Sequence, residues 1–112
     1  MFFTEKAPHG FFSFPVDHES CFVEVSYDEE CNKIIILFQD KDCAWMTNDV
    51  NEAKTLLSIL EFKEVFSETF SLVFDHSSED VIINVSNISM VITDEERNDI
   101  IWCLNKVIGR AS

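Results

Sequence analysis

The sequence predicts an α+β fold: one antiparallel β-sheet of about six strands, with two helices on one face. Three observations carry this. Short runs alternate apolar and polar residues between polar turns. Two longer stretches repeat apolar residues at helical spacing. The order strand–strand–strand–helix occurs twice. A chain of 112 residues with 46% hydrophobic content and 11 Phe reads as a single domain, 1–112, with enough apolar surface for its own core. With only 2 Gly and 2 Pro, it is not a low-complexity or disordered chain.

Residues 1–20 read as an irregular aromatic arm, with Phe2, Phe3, Phe11, Phe12 and Phe14 around Pro8, Gly10 and Pro15. Free tails are rarely so apolar, so the arm is expected to pack on the domain or, in part, to cover a partner. The first βββα unit, 21–62, opens with a strand from Cys21 to Tyr27 that alternates Val23, Val25 and Tyr27 against Glu24 and Ser26. A polar turn, Asp28 to Asn32, leads to Lys33–Gln39, apolar on both faces and so central in the sheet. Asp40-Lys41 reads as a two-residue hairpin connection to a strand from Asp42 to Met46. Thr47 or Asn48 caps a helix to about Glu61, with Ala53, Leu56, Leu57 and Leu60 facing inward.

The second unit, 64–110, repeats the order. Val65 to Phe74 is a strand with Phe66, Phe70, Leu72 and Phe74 on one face, and His76 to Glu79 is a turn. Asp80 to Val85 and Ile88 to Ile92 flank a two-residue turn at Ser86-Asn87. Thr93-Asp94-Glu95-Glu96 is a capping box, and the helix it opens runs to about Ile108, with Ile100, Ile101, Leu104, Val107 and Ile108 inward and Gly109 ending it. Laid on the first unit, Ile34, Ile36 and Phe38 fall on Val81, Ile83 and Val85. The two units are either a duplication or two βββα stretches of similar hydropathy.

Charge narrows the function classes. The formal net charge is −13, and neither Ala7 to Asn32 nor Glu64 to Glu96 contains a Lys or Arg. Nucleic-acid binding needs a basic surface to displace phosphate counterions, and 8 scattered cations cannot assemble one. A field this negative steers cationic partners instead. Residues 1–8 lack a basic start and a long apolar core, so no secretory signal is read there. No apolar run approaches the roughly 20 residues of a membrane span. The expected compartment is the cytoplasm, with reduced thiols.

Catalytic and cofactor chemistry is not written in the chain. Cys21, Cys31, Cys43 and Cys103 have no CxxC or CxxH spacing, which argues against zinc. Cys21, Cys43 and Cys103 lie in apolar runs and read as buried, Cys31 as exposed. His18 and His76 each sit beside a carboxylate near a turn, but their separation supplies no metal-ligand signature. No glycine-rich elbow or phosphate loop can be built from 2 Gly. Glu29-Glu30 and Glu95-Glu96 are sequence neighbours that point apart, and so are solvated acids rather than catalytic dyads. The expectation is a binding protein, with no enzyme activity, no cofactor and no metal.

The candidate partner-binding residues are Asp28, Glu29 and Glu30 in one turn, Asp75, Glu79 and Asp80 in the matching turn, and Trp102. If the two units are related by a pseudo-twofold, both turns lie along one rim of the sheet and form a negative edge. Trp102 falls on the polar face of the last helix, beside Asn98, Asn105 and Lys106. There it is either an interface anchor or the residue that the aromatic arm covers.

In size, acidity and α+β pattern, with stretches such as Tyr27-Asp28-Glu29-Glu30 and Ser78-Glu79-Asp80 in an otherwise apolar sheet, the whole chain resembles the immunity proteins of bacterial contact-dependent growth-inhibition systems. The resemblance implies a cognate toxin domain, often a nuclease, bound one to one by a chain that is a monomer or weak dimer when free. It transfers no functional residue, because those families share no motif. Two other classes use comparable physics: a phage-type or DNA-mimic inhibitor of a nucleic-acid-handling complex, and an acidic secretion chaperone. The chaperone class opens with a helix, whereas this chain opens with an arm and strands.

If the charge argument holds, the isolated protein retards neither DNA nor RNA in a mobility-shift titration at low salt, the condition most permissive for phosphate contacts. A saturable shift there contradicts it.

Overall fold

The computed structural model describes residues 4–7, 11–16, 21–63, 67–74 and 80–111, with side chains from residue 23 onward. Its class is α+β. Among the described residues, eight antiparallel strands form two sheets: β1 (Thr4–Ala7), β2 (Phe11–Val16), β3 (Cys21–Asp28), β4 (Lys33–Gln39) and β5 (Ala44–Thr47) in the order β1-β2-β3-β4-β5, and β6 (Phe70–Phe74), β7 (Val81–Val85) and β8 (Ile88–Ile92) in the order β6-β7-β8. Helix α1 (Val50–Leu60) follows β5, and α2 (Asp94–Ala111) follows β8. Counterparts of the six expected strands form two meanders, each ending in a helix, but β6 begins at Phe70 rather than Val65: Ser67 N–H donates to the Phe70 carbonyl in a turn that precedes it, and residues 64–66 lie outside the described residues. The strands divide between two sheets rather than forming one, and the N-terminal residues add two more strands.

That addition corrects the reading of residues 1–20 as irregular. β2 pairs with β3 along its length, setting Phe12 opposite Val25 and Phe14 opposite Val23, so the Phe-Ser-Phe alternation is a strand period. Pro15 is tolerated because β1 reaches only Phe11 to Ser13, leaving the rest of β2 with one neighbour in its sheet.

One core joins the elements. Val23 and Val25 of β3, Ile34, Ile36 and Phe38 of β4, Phe70 of β6, Val81, Ile83 and Val85 of β7 and Ile88, Met90 and Ile92 of β8 are all buried. They meet Ala53, Leu56, Ile59 and Leu60 of α1 and Ile100, Cys103, Leu104 and Val107 of α2. The helices pack on each other, with α2 against β3 and β4 and α1 against β6. Trp45 of β5 lies edge-on to Phe70, ring centroids 5.3 Å apart, bringing the two sheets together at that point. Burying a large apolar side chain contributes about 1.5–3 kcal/mol, so this shared interior dominates stability.

Local chemistry explains where elements begin and end. Asp40 folds a four-residue connection, not the expected two: its Oδ1 accepts from the N–H groups of Asp42 (2.8 Å) and Cys43 (2.7 Å), and β5 therefore starts at Ala44. This holds Cys43 exposed, against the expectation of burial, while Cys31 is exposed and Cys103 buried as expected; the Cys21 side chain lies outside the described residues. The α1 cap is Asp49, which accepts from Asn51 N–H at 2.8 Å, rather than Thr47 or Asn48. Asn48 is engaged elsewhere, donating to the Ile34 carbonyl at 2.9 Å. Ile59 takes the buried place expected of Leu57, which is half-buried.

The capping box at Thr93 forms as read: Glu96 N–H donates to Thr93 Oγ1 at 3.1 Å, and Thr93 N–H donates to Glu96 Oε1 at 2.8 Å. α2 continues through Gly109 to Ala111 instead of stopping before it. Gly109 lies in an exposed last turn with nothing within 4 Å of an added Cβ, and its lack of a side chain costs helical propensity without forcing a stop.

Thr93→Ala should remove one arm of the box and cost about 1 kcal/mol, lowering the thermal midpoint by roughly 4–8 °C. A midpoint within error of the parent's shows that the box does not hold the start of α2.

Candidate functional site

The first acidic turn is built by Asp28. Its Oδ1 accepts from the N–H groups of Glu30 (3.0 Å) and Cys31 (3.3 Å), and Asn32 adopts a left-handed φ of 52°, a conformation Asn tolerates. Tyr27 Oη donates to Asn32 Oδ1 across the turn. Asp28 therefore shapes the loop, and Glu29 and Glu30 are displayed. Glu29 meets Arg110 of α2 at 3.3 Å; both side chains are well exposed, so the pair contributes at most about 1 kcal/mol. The pair fixes this turn at the C-terminal end of α2.

Of the second acidic group only Asp80 is described, and it lies near the other end of the helix. Asp75 and Glu79 lie outside the described residues. Asp80 is half-buried and precedes Val81, which pairs with Ile92, next to the α2 capping residue Thr93. The 18 residues of α2 span roughly 27 Å, so the Glu29–Arg110 contact and Asp80 stand about a helix length apart. Trp102 lies between these ends, 47% exposed, with Lys106 Nζ 5.0 Å above its ring. The described candidates are thus strung along α2 rather than gathered in one patch. The proposed covering of Trp102 by the arm involves arm side chains outside the described residues.

A different cluster escaped the sequence reading. Phe62, Val73 and Phe74 are large, apolar and exposed, at 47%, 49% and 56%. Phe74 alternates onto the face of Phe70 and Leu72, as expected, but β6 runs outward, from a buried Phe70 to exposed residues at its end; Phe66 lies outside the described residues. α1 ends in a Schellman motif: Lys63 N–H donates to the Ser58 carbonyl and Phe62 N–H to the Ile59 carbonyl. That motif sets Phe62 at φ 64°, a position usually held by glycine and strained for a bulky residue. The Phe62 ring packs on Phe74 at 5.2 Å and under the Arg97 guanidinium at 4.4 Å. No sequence periodicity marks this cluster; its one signal is the absence of Gly where α1 must stop.

At the opposite end of β6 is an open groove of about 280 Å³, lined by Asn51, Glu52 and Thr55 of α1 and by Ser67, Glu68, Thr69 and Phe70. Its polar lining is hydroxyls, an amide and two carboxylates, and Glu52 Oε2 is sealed from solvent without a hydrogen-bond partner. Among the described residues no group of three or more His, Cys, Asp or Glu could hold a metal, and no helix is long and apolar enough to cross a membrane.

Partial burial raises two carboxyls. Glu24 of β3 is pushed up by desolvation, offset in part by Ser26 Oγ, which donates to it at 3.5 Å. Asp99 of α2 is pushed up by desolvation and then by the Glu95 carboxylate. A carboxyl with a raised folded-state pKa binds its proton more tightly than in the unfolded chain. At neutral pH its charge therefore opposes folding, and acidification relieves that cost. Glu24→Gln should raise the thermal midpoint at neutral pH, and the gain should vanish once pH falls below the carboxylate range. An unchanged or lower midpoint at neutral pH contradicts the desolvation account.

Compared with protein-family models, curated proteins and solved structures, the chain shows no match.

Proposed function

We propose that this chain is an acidic, protein-binding inhibitor: an immunity protein of the contact-dependent growth-inhibition type that neutralises a cognate toxin domain, a nuclease in particular, by direct one-to-one binding in the cytoplasm. The supporting observation is the charge, −13 in total and free of Lys and Arg over two long stretches. A nuclease surface must be basic to hold nucleic acid. A folded acidic domain competes for that surface, and complementary fields accelerate capture by 10-fold or more. The chain acts by occlusion, and nothing in this reading requires it to do chemistry.

The displayed acids are suited to steering. Glu29 and Glu30 project from a turn held by the Asp28 carboxylate, so their presentation costs little ordering on binding. Trp102 offers an aromatic anchor partway along the same helix to which that turn is fixed.

The test is reconstitution with the partner, identified by affinity capture and followed by its own activity. A basic protein should form a one-to-one complex and lose activity. Its association rate should fall with salt, and fall by about tenfold at low salt when Glu29→Lys and Glu30→Lys, or Glu79→Lys and Asp80→Lys, are combined. A partner that keeps full activity in the complex defeats the inhibitor reading. Unchanged association rates in both block variants, with binding abolished by Trp102→Ala, would place recognition on α2 instead of the acidic turns.

A further inference from the structure

An antiparallel sheet with one wet face normally alternates apolar residues inward with polar residues outward. The five-stranded sheet departs from this at its centre. Val23 and Val25 of β3 and Ile34, Ile36 and Phe38 of β4 lie in the core, with Trp45 of β5 packed against it. Alternation puts Glu24, Ser26, Ile35, Leu37 and Met46 on the opposite face. Register sets Ser26 beside Ile35, and Glu24 beside Leu37 and then Met46, in two rows across the strands. Ile35 and Leu37 are half-buried, and Met46 is 58% exposed. The chain is described without a break from Cys21 to Lys63, so β3, β4 and β5 are placed together with the turns that join them. Both helices and the second sheet share the core on the inner side.

Charge is sparse on this outer face. Its described side chains include Glu24 near the centre, and Asp28 opposite Lys33 at one end. That is one base against two acids, where the whole chain has 8 against 21. Two copies at −13 repel over most of their surface, so a self-contact forms most readily where like charge is thinnest. A patch of apolar rows, ending in charges of both signs, can also complement itself across a twofold axis. Glu24 opposes such a contact. Desolvation already pushes its carboxyl up, and Ser26 Oγ donates to it at 3.5 Å. A second sheet laid on the face would strip more water from both copies of this carboxylate without supplying a cation.

We propose that this face is a weak self-association surface: two copies stack their five-stranded sheets through Ile35, Leu37 and Met46, and Glu24 limits how tightly they do so. The inference goes beyond the inhibitor reading and does not depend on it. Size sets the strength. Five strands at about 4.8 Å spacing, with β4 seven residues long, offer about 500 Å² per copy. A stacked pair then buries about 1,000 Å² in all, the low end at which specific interfaces are weak and transient. Two carboxylates enclosed in it weaken it further.

Analytical ultracentrifugation of the full chain, from micromolar to millimolar concentration, tests this. The parent should show a monomer–dimer equilibrium that tightens with added salt, because salt screens repulsion between like-charged copies. Capture of a basic partner has the opposite salt dependence, so the two associations are told apart by sign. Glu24→Leu should tighten the dimer by about tenfold or more, since two enclosed carboxylates are removed. Met46→Glu should weaken it by about tenfold or more, whereas Asn105→Asp, which adds the same charge on α2, should shift it by less than about twofold. Circular dichroism checks that each variant is folded, and Glu24→Gln takes the place of Glu24→Leu if the latter precipitates.

A parent and a Glu24→Leu variant that both stay monomeric at millimolar concentration overturn the proposal. So does a dimer that Met46→Glu leaves intact, because it forms through another surface. A monomeric chain whose capture of a basic partner is lost on Met46→Glu would assign the face to that partner, and equally overturn it.

Discussion

The packing of α2 across strands of the other half is the constraint on which the rest of the molecule depends. α2 begins from β8 but lies on β3 and β4, while α1, which follows β5, packs against β6 and α2. The helix of each half thus packs on strands of the other, and the buried residues of both sheets and both helices form one core. Arg97 fastens the crossing. Its Nη1 donates to the Leu60 carbonyl at 2.6 Å, satisfying one of the acceptors that the end of α1 leaves open, and its Nε and Nη2 hold Asp94 Oδ1 at 3.1 and 2.9 Å. One of only 8 basic side chains is thus spent joining two helices and is unavailable to balance surface charge. Its side chain is 12% exposed, so this pair is screened less than the Glu29–Arg110 pair at the other end of α2.

What could be read from sequence follows the range of the interaction involved. β4 and β8 have the predicted bounds because Ile34, Ile36 and Phe38, like Ile88, Met90 and Ile92, alternate into one core and are bracketed by turns. The Thr93 box was legible because both partners lie within one turn. The α1 cap was not, since Thr47, Asn48 and Asp49 can each cap and the choice is made by a carbonyl on β4, far away in sequence. Nor does periodicity say which strands pair across units, so the division into two sheets and the pairing of β2 with β3 were out of reach. At the site, the phase of α2 was enough to place Trp102 outward. Alternation put Phe74 on the face it occupies, but its exposure was not legible, because alternation predicts a face and not where the core ends.

The charge of the molecule acts on two levels. Within the fold, several cations are held locally: Lys106 over Trp102, Lys63 against Glu61 at 3.3 Å, and Arg110 against Glu29. These exposed contacts redistribute little energy. The remaining excess of carboxylates repels itself, and the raised Glu24 and Asp99 show where partial burial sharpens that cost. Such a field opposes the compact state, and burial in the apolar core has to offset that repulsion.

Phe62 and β6 carry that argument to particular atoms. Elsewhere among the described residues the caps are Asp and Thr, and the other left-handed φ angles fall on Asn32 and Ser86, small polar residues in turns. At the end of α1 a phenylalanine occupies a left-handed position where glycine would be unstrained. The strand beside it ends in two exposed apolar residues on an uncharged edge. Strain of this kind persists only when surrounding contacts over-determine it, and here the ring is held between Arg97 and Phe74. Arg97 is already fixed by Leu60 and Asp94, so the clasp that unites the two helices also holds the aromatic pair at the end of β6. The residue that joins the helices and the residues that break the local rules are in direct contact, which ties the exposed aromatic pair to the integrity of the core behind it.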